Sequence, residues 1–335
     1  SLGFGLSQSV SGWLVWRAVQ GLATAPIYTS ISTRLARSFT GHGEFHRVVG
    51  LQEVCGNVGV TVGPLLGGML FEYGGFALPF IVSAALHLLF VGISLASLLC
   101  KVSVKDPAPP SDAEAGSAGS KGPSEASATM CSVASVRLLL LTFIPCLCLG
   151  VWGAFEPLLG DHFTKVLDVE DHTVIGLLMS ISSVPSTFAA LAVPSLLRCC
   201  GPRWLMSGGV VIYAGGCFFL GSWALFSPWG SQVVGLLLIG LGWGLCWTPV
   251  LPSMVDCAAL TLKETAWLEA RHAVSPAVSA IFNASAALGE AAGPLLGTWL
   301  LPNNFQAGPK LIALFLVLYA FCIFFTVAPS SHNVE

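Results

Sequence analysis

Apolar residues run through this chain in long blocks, and nine of the blocks reach the roughly 20 residues that a helix needs to cross a bilayer. They fall at about 12–35, 48–71, 76–100, 137–157, 173–195, 204–226, 232–256, 275–300 and 309–328. The pattern predicts an all-α membrane protein. Leu2 to Val10 reads as the tail of an earlier span. Between 101 and 136 the blocks give way to Pro, Ser, Ala and Gly with a few charges, among them Pro107, Pro109, Pro110, Lys121 and Glu125. Such a stretch has too little apolar surface to order itself and is expected to be a flexible linker. The expected organisation is therefore helices over 1–100, a linker over 101–136, helices over 137–328 and a short tail at 329–335.

Within the blocks one pattern is written twice. Gly59-Val-Thr-Val-Gly63-Pro64-Leu-Leu-Gly67-Gly68 returns as Gly289-Glu-Ala-Ala-Gly293-Pro294-Leu-Leu-Gly297-Thr298. The helix before each copy repeats too, since Gly21-Leu-Ala-Thr-Ala-Pro26 matches Gly244-Leu-Cys-Trp-Thr-Pro249. Two related halves in the same order are a mark of secondary transporters, whose substrate site lies between the repeats. Small residues one turn apart let membrane helices approach closely. Gly56, Gly59, Gly63 and Gly67 make one such face, and Gly289, Gly293 and Gly297 another. Pro64 and Pro294 each free a carbonyl and bend the helix, which suits a rocking contact. Ordinary tight packing is the plainer alternative.

Composition agrees with the blocks. The chain is 54% hydrophobic and 9% charged, against about 25% charged in soluble domains. Mean hydropathy is +0.80. The net charge of -3 matters less than where the cations lie. With the linker in the cytosol, eleven Lys and Arg fall on that side: Arg34, Arg37, Arg47, Lys101, Lys105, Lys121, Arg137, Arg198, Arg203, Lys263 and Arg271. Only Lys165 and Lys310 fall on the other, so the positive-inside rule puts the linker and the C-terminus in the cytosol. The 11 cysteines show no CxxC pair and read as small apolar residues. The chain opens on Ser1 with no signal peptide before the first span.

Gly59 to Gly68 resembles the helix-five signature of drug:proton antiporters in the major facilitator superfamily. Trp16-Arg17-Ala-Val-Gln20-Gly21 is similar to their helix-four signature, and Leu197-Arg198-Cys-Cys-Gly201-Pro-Arg203 to a degenerate basic loop after the eighth helix. Phe155-Glu156-Pro157-Leu158-Leu159, Val174 to Ser186 and Phe282 to Gly289 resemble the vesicular amine transporters, on the branch of vesicular polyamine transporters. One position departs: monoamine carriers hold an acidic residue midway along helix ten, where this chain has Gly244. The resemblance implies a fold of two pseudo-symmetric helix bundles. The nine spans would then be family helices four to twelve, with the first three absent, as in a fragment or an incomplete gene model.

A charge at the bilayer centre costs about 2.5–3.5 kcal/mol on insertion scales, so each one is a functional candidate. Arg17 lies inside its span and, by the family resemblance, takes part in proton coupling; snorkelling to the surface is the alternative. Glu156 sits beside Pro157 at the non-cytosolic end of its span, a place for a carboxyl group that exchanges protons or attracts a cation; an interfacial residue fully in water is the alternative. Glu290 replaces Val60 of the first copy and is a candidate to line the cavity. Asp256 and Glu53 lie near cytosolic ends and read as gate or interface residues, or as solvated ends of their spans. Trp243 and Trp247 share a helical face four residues apart, fit for a cation–π wall or for the lipid belt. Trp152 poses the same choice.

Other patterns carry less. His42-Gly-Glu44-Phe-His46 has metal-like spacing in a short loop without further ligands, so no metal is expected. Asn283-Ala-Ser285 fits a glycosylation sequon but lies in a span. Asp161, His162, Asp168, Glu170, Asp171 and His172 form an acidic outer loop. No Walker A sequence and no nucleophile–base set stand out, so neither an enzyme nor a cofactor is expected. The reading is a proton-coupled antiporter of small organic cations such as amines, polyamines or drugs. It is expected to act as a monomer in a vesicle, organelle or plasma membrane, with protons, a cationic solute and lipid as its partners and no nucleic acid. A truncated, non-transporting membrane protein or a facilitator of other solutes is the alternative.

Overall fold

Backbone amides in a bilayer have no water to bond, so a spanning segment closes its hydrogen bonds within itself as a helix. The computed structural model describes residues 2–39, 42–99, 136–169, 171–221, 227–261, 267–301 and 305–326, and every element among them is an α-helix. The expected linker (save residue 136), the tail at 329–335, Glu170, Lys263 and the side chain of His42 lie outside the described residues. In chain order the helices are α1 (Leu2–Leu6), α2 (Val10–Ser38), α3 (His42–Gly74), α4 (Ala77–Leu99), α5 (Val136–Leu167) and α6 (His172–Ser180). There follow α7 (Ser183–Leu220), α8 (Pro228–Trp247), α9 (Val250–Thr261), α10 (Trp267–Leu300) and α11 (Ala307–Thr326).

Local chemistry places the ends. The Asp171 side chain accepts from Thr173 N at 2.7 Å and opens α6. Ser227 accepts from Gly230 N at 3.1 Å and Pro228 takes the first turn of α8. Two residues separate α6 from α7, and two more, Thr248 and Pro249, separate α8 from α9, so each pair forms one passage. By contrast α7 holds two passages. Gly201 sits at φ 73° and ψ 161°, a conformation that side chains resist, and Pro202 follows it. Among the described residues, all nine expected blocks are helical.

Six stretches are long and apolar enough to cross a membrane: Glu44–Gly74, Ala77–Ser97, Val136–Leu167, His172–Leu220, Pro228–Leu260 and Ala307–Thr326. The fourth is 49 residues, about 74 Å at 1.5 Å per residue, more than twice the hydrocarbon core. It must turn at Gly201. The helices α2 and α10 complete the set with more polar sequences.

By packing, the chain divides into two compact units, Ser1–Ile27 with Met69–Ser132, and Tyr28–Gly68 with Val133–Glu335. In the first, Phe4, Trp13, Phe76 and Phe80 form an aromatic cluster with ring centroids 5.0–6.4 Å apart. Trp13 donates its indole N–H to Ser7 O at 2.9 Å. Gly75, at φ 68°, turns α3 into α4 and donates to Phe71 O at 2.8 Å.

In the second unit close helix approach does the work that hydrophobic burial does in water. A Cβ at Gly209 would lie 2.6 Å from Cys246 N and one at Gly216 2.6 Å from Ile239 N, so the second arm of α7 runs antiparallel to α8. Gly240 against Ser182 and Gly244 against Ser186 run the other way, so the first arm of α7 is parallel to α8. The two arms of α7 are therefore a hairpin, closed at Gly201. Tyr213 donates to Cys148 O at 3.1 Å and Tyr319 donates to Leu140 O, which tie α7 and α11 to α5.

Candidate functional site

Helix α3 lies antiparallel against α6 and the first arm of α7. A Cβ at Gly68 would stand 2.9 Å from His172 O, one at Gly176 2.6 Å from Pro64 O, and one at Gly50 2.8 Å from Ala190 O. Asn57 donates to Ser186 Oγ at 3.1 Å, and the Thr61 and Ser183 hydroxyls share a hydrogen bond. These residues repeat every three or four positions, so they lie on one face of α3, and Glu53 lies on that face too. At Glu53 the partner changes. Trp247, the last residue of α8, donates its indole N–H to Glu53 Oε1 at 2.8 Å.

Around this pair is a pocket of about 70 Å³. Tyr28 and Ser32 of α2, Val49, Gln52 and Glu53 of α3, Trp247 and Leu251, and Phe282 and Asn283 of α10 line it. Trp247 stacks on Trp243 with centroids 5.1 Å apart and planes at 20°, and meets Phe282 edge-on at 5.2 Å. Gln52 Oε1 is buried without a hydrogen-bond partner among the described residues. Asn283 spends its amide N–H on Ser279 O at 2.8 Å, which leaves its carbonyl oxygen as the acceptor. A carboxylate, amide oxygens and aromatic faces are what an organic ammonium group binds. The volume suits such a headgroup or a few waters; drug-sized ligands occupy about 300 Å³ or more.

The expected residues distribute unevenly about this pocket. Trp247 lines it and Trp243 backs it. Glu53 and Asn283, read from sequence as an end residue and an unused sequon, line it as well. Glu156 is exposed on α5, and Glu290 is exposed on α10. Arg17 is exposed on α2 and donates to Gln20 Oε1 at 3.1 Å. Asp256 of α9 acts electrostatically on Arg271 of α10, whose fully buried guanidinium lies 4.7 Å from the centre of the Phe45 ring. Arg271 falls between the apolar blocks 232–256 and 275–300 and is expected on the cytosolic side. Helix α10 begins at Trp267 instead, and the carboxylate and ring compensate the buried charge. A Cβ at Gly244 would stand 2.6 Å from Ser186 O, so no acidic side chain fits where monoamine carriers have one.

The two Gly–Pro motifs have different surroundings. A methyl at Gly289, Gly293 or Gly297 would collide with the carbonyls of Cys146, Gly150 or Ala154 of α5. At Gly56, Gly59, Gly63 and Gly67 it would meet no described atom within 4 Å, whereas Gly68 is close-packed.

Comparison with known proteins agrees with this architecture. The chain is 25% identical over 293 residues to the MFS-type transporter SLC18B1 of Mus musculus and to that of Rattus norvegicus, and 25% identical to that of Homo sapiens. Each match covers 85% of this chain and 58% of the relative, so the chain spans less than two thirds of those proteins. The crystal structure of the human organic anion transporter MFSD10 (TETRAN) superposes with a TM-score of 0.66 at 17% identity. That superposition covers 96% of this chain and 73% of the other, and speaks to the fold. The family model of the Major Facilitator Superfamily matches residues 1–267, and with its long apolar helices the chain is an integral membrane protein belonging to that superfamily.

Proposed function

We propose that the protein is a proton-coupled secondary transporter that exchanges small organic cations, amines and polyamines among them, for protons by alternating access. The observation that carries this reading is the Glu53 carboxylate, hydrogen-bonded to Trp247 in a pocket walled by aromatic rings. An ammonium group there gains an opposite charge, acceptor oxygens and π faces together. A desolvated cation–π contact contributes about 2 kcal/mol or more. A proton on Glu53 removes the charge, so proton and cation compete for one oxygen pair. The pocket's small volume means that this conformation closes around a headgroup, and the rest of the solute needs the helices to part.

Glu156 and Glu290 are proposed to relay protons from the exposed faces of α5 and α10, with Arg17 and Asp256 as further charges in the coupling. The Gly–Pro motifs at Gly59, Gly63, Pro64, Gly67 and Gly68 and at Gly289, Gly293, Pro294 and Gly297 are proposed as the surfaces on which the helices rock. The Lys and Arg distribution supports a cytosolic linker and C-terminus, in a vesicle, organelle or plasma membrane, with the protein acting as a monomer.

The test is uptake of a labelled amine into acid-loaded vesicles carrying the protein. Glu53→Gln keeps the side-chain shape and removes the charge; uptake driven by the pH gradient is expected to vanish at normal expression. Wild-type uptake by that variant overturns the assignment of Glu53. Failure of the unaltered protein to take up any amine overturns cation transport itself.

A further inference from the structure

The hairpin in α7 turns on Arg198-Cys199-Cys200-Gly201-Pro202-Arg203, and both cysteines of this turn are exposed. The arm from His172 to Cys200 is 29 residues, about 44 Å at 1.5 Å per residue, so it crosses the hydrocarbon core and ends at a membrane face. The end of α11 lies at the same face. Trp204 meets Phe324 edge-on at 4.5 Å, and the Arg203 guanidinium stands 5.2 Å from the centre of that ring. Beneath the cysteines is an open pocket of about 470 Å³ lined by Cys199, Cys200, Trp204 and Leu205.

We propose that Cys199 and Cys200 are an S-acylation site, carrying long-chain fatty acyl groups as thioesters. Thiols beside a span, flanked by Arg198 and Arg203, stand at the height where membrane acyltransferases work on acyl-coenzyme A. The cysteine sulfur bonds to the acyl carbonyl carbon, the coenzyme's sulfur–carbon bond breaks, and coenzyme A leaves as the thiol with the cysteine's proton. The chain then lies along Trp204 and Leu205 and tethers the turn to the cytosolic leaflet. Among the described residues the other exposed thiols are placed differently: Cys55 is 13 residues into α3, and Cys322 lies within the apolar turn Phe321–Phe325 of α11. The proposal rests on the cytosolic placement of this turn, which follows from the basic residues.

Acyl exchange on the protein from expressing cells tests it. Free thiols are blocked, thioesters are cleaved with hydroxylamine, and the thiols released are coupled to a mass-tagging maleimide. One or two hydroxylamine-dependent shifts are expected, lost in Cys199→Ser/Cys200→Ser and kept in Cys322→Ser. No shift, or a shift unchanged in the double variant, overturns the proposal. Mass spectrometry of the peptide holding Cys199 and Cys200 decides the matter without any variant: an acyl adduct supports the proposal and bare thiols overturn it. An impermeant maleimide, applied from each side of sealed vesicles after hydroxylamine, separates the two premises. Labelling from the cytosolic side without an acyl adduct overturns acylation alone, and labelling from the opposite side alone overturns both.

Discussion

Helices α3 and α10 carry the same Gly–Pro pattern with a carboxylate near it, Glu53 on α3 and Glu290 on α10, yet they use them in opposite ways. On α10 the glycines are spent: Gly289, Gly293 and Gly297 seat the helix on the backbone of α5, while Glu290 is exposed. On α3 the glycines at 56, 59, 63 and 67 have open space among the described residues, and the carboxylate is engaged. The helix packs instead through a face about a third of a turn round, formed by Gly50, Glu53, Asn57, Thr61, Pro64 and Gly68. A small-residue face states that close approach is possible. It does not state with what. In lipid an uncovered apolar face carries no hydrophobic penalty, so the same pattern can be packed in one helix and open in the other.

The largest expected effect separates the two carboxylates. In amine exchange without a pH gradient, Glu53→Gln should lose about thirtyfold or more of the rate at limiting amine, near 2 kcal/mol of lost cation binding. Glu290→Gln should retain exchange and lose only gradient-driven uptake, because a relay is idle when no net proton moves. Equal loss in both variants would end the distinction between a binding and a relaying carboxylate.

Next comes Gly293→Ala. The added methyl collides with Gly150 O across the α10–α5 contact, and backbone gives way less readily than a flexible side chain. Overpacking of this kind costs about 1–3 kcal/mol. The measurement is thermal melting in detergent, and an unchanged melting temperature would mean that this contact is looser than its geometry. A smaller effect is expected at Trp247→Phe, which keeps an aromatic wall and removes the N–H given to Glu53. Losing that bond should weaken amine affinity by a few-fold, near 1 kcal/mol. A loss as large as that of Glu53→Gln would assign the indole a larger share of the site than the carboxylate.

How far the sequence carries the structure differs between fold and site. Apolar runs placed all nine passages, because a bilayer demands length and hydropathy, and both are local properties. The break at Gly201-Pro202 was legible for the same reason, as was the Trp243–Trp247 pair from its spacing of four. Glu53 was visible but placed too near an end. Hydropathy marks where the apolar run begins, at about residue 48, whereas the helix begins at His42 and puts Glu53 about 16 Å along it. Asn283 showed only as a sequon inside a span, since one uncharged amide does not interrupt an apolar run and says nothing of what it faces. The burial of Arg271 depends on Phe45, far off in sequence, and on Asp256, which lies on the preceding helix.

The smallest expected effect is the sharpest probe of the open face. Gly63→Ala adds a methyl where no described atom lies within 4 Å, and alanine is the better helix former by about 0.5–1 kcal/mol. Proline at the next position already sets the local bend, so part of that gain is lost, and melting should shift by about 0.5 kcal/mol or less, toward stability. Gly59→Ala and Gly67→Ala should behave alike, because they share the face. Against Gly293→Ala, the set asks whether one sequence pattern has two energetic meanings. A destabilisation of about 1 kcal/mol or more at Gly63 would mean that this face is covered in the assembled protein as closely as its counterpart on α10. The two motif copies would then differ in partner and not in use, and the rocking surface would have to be sought elsewhere.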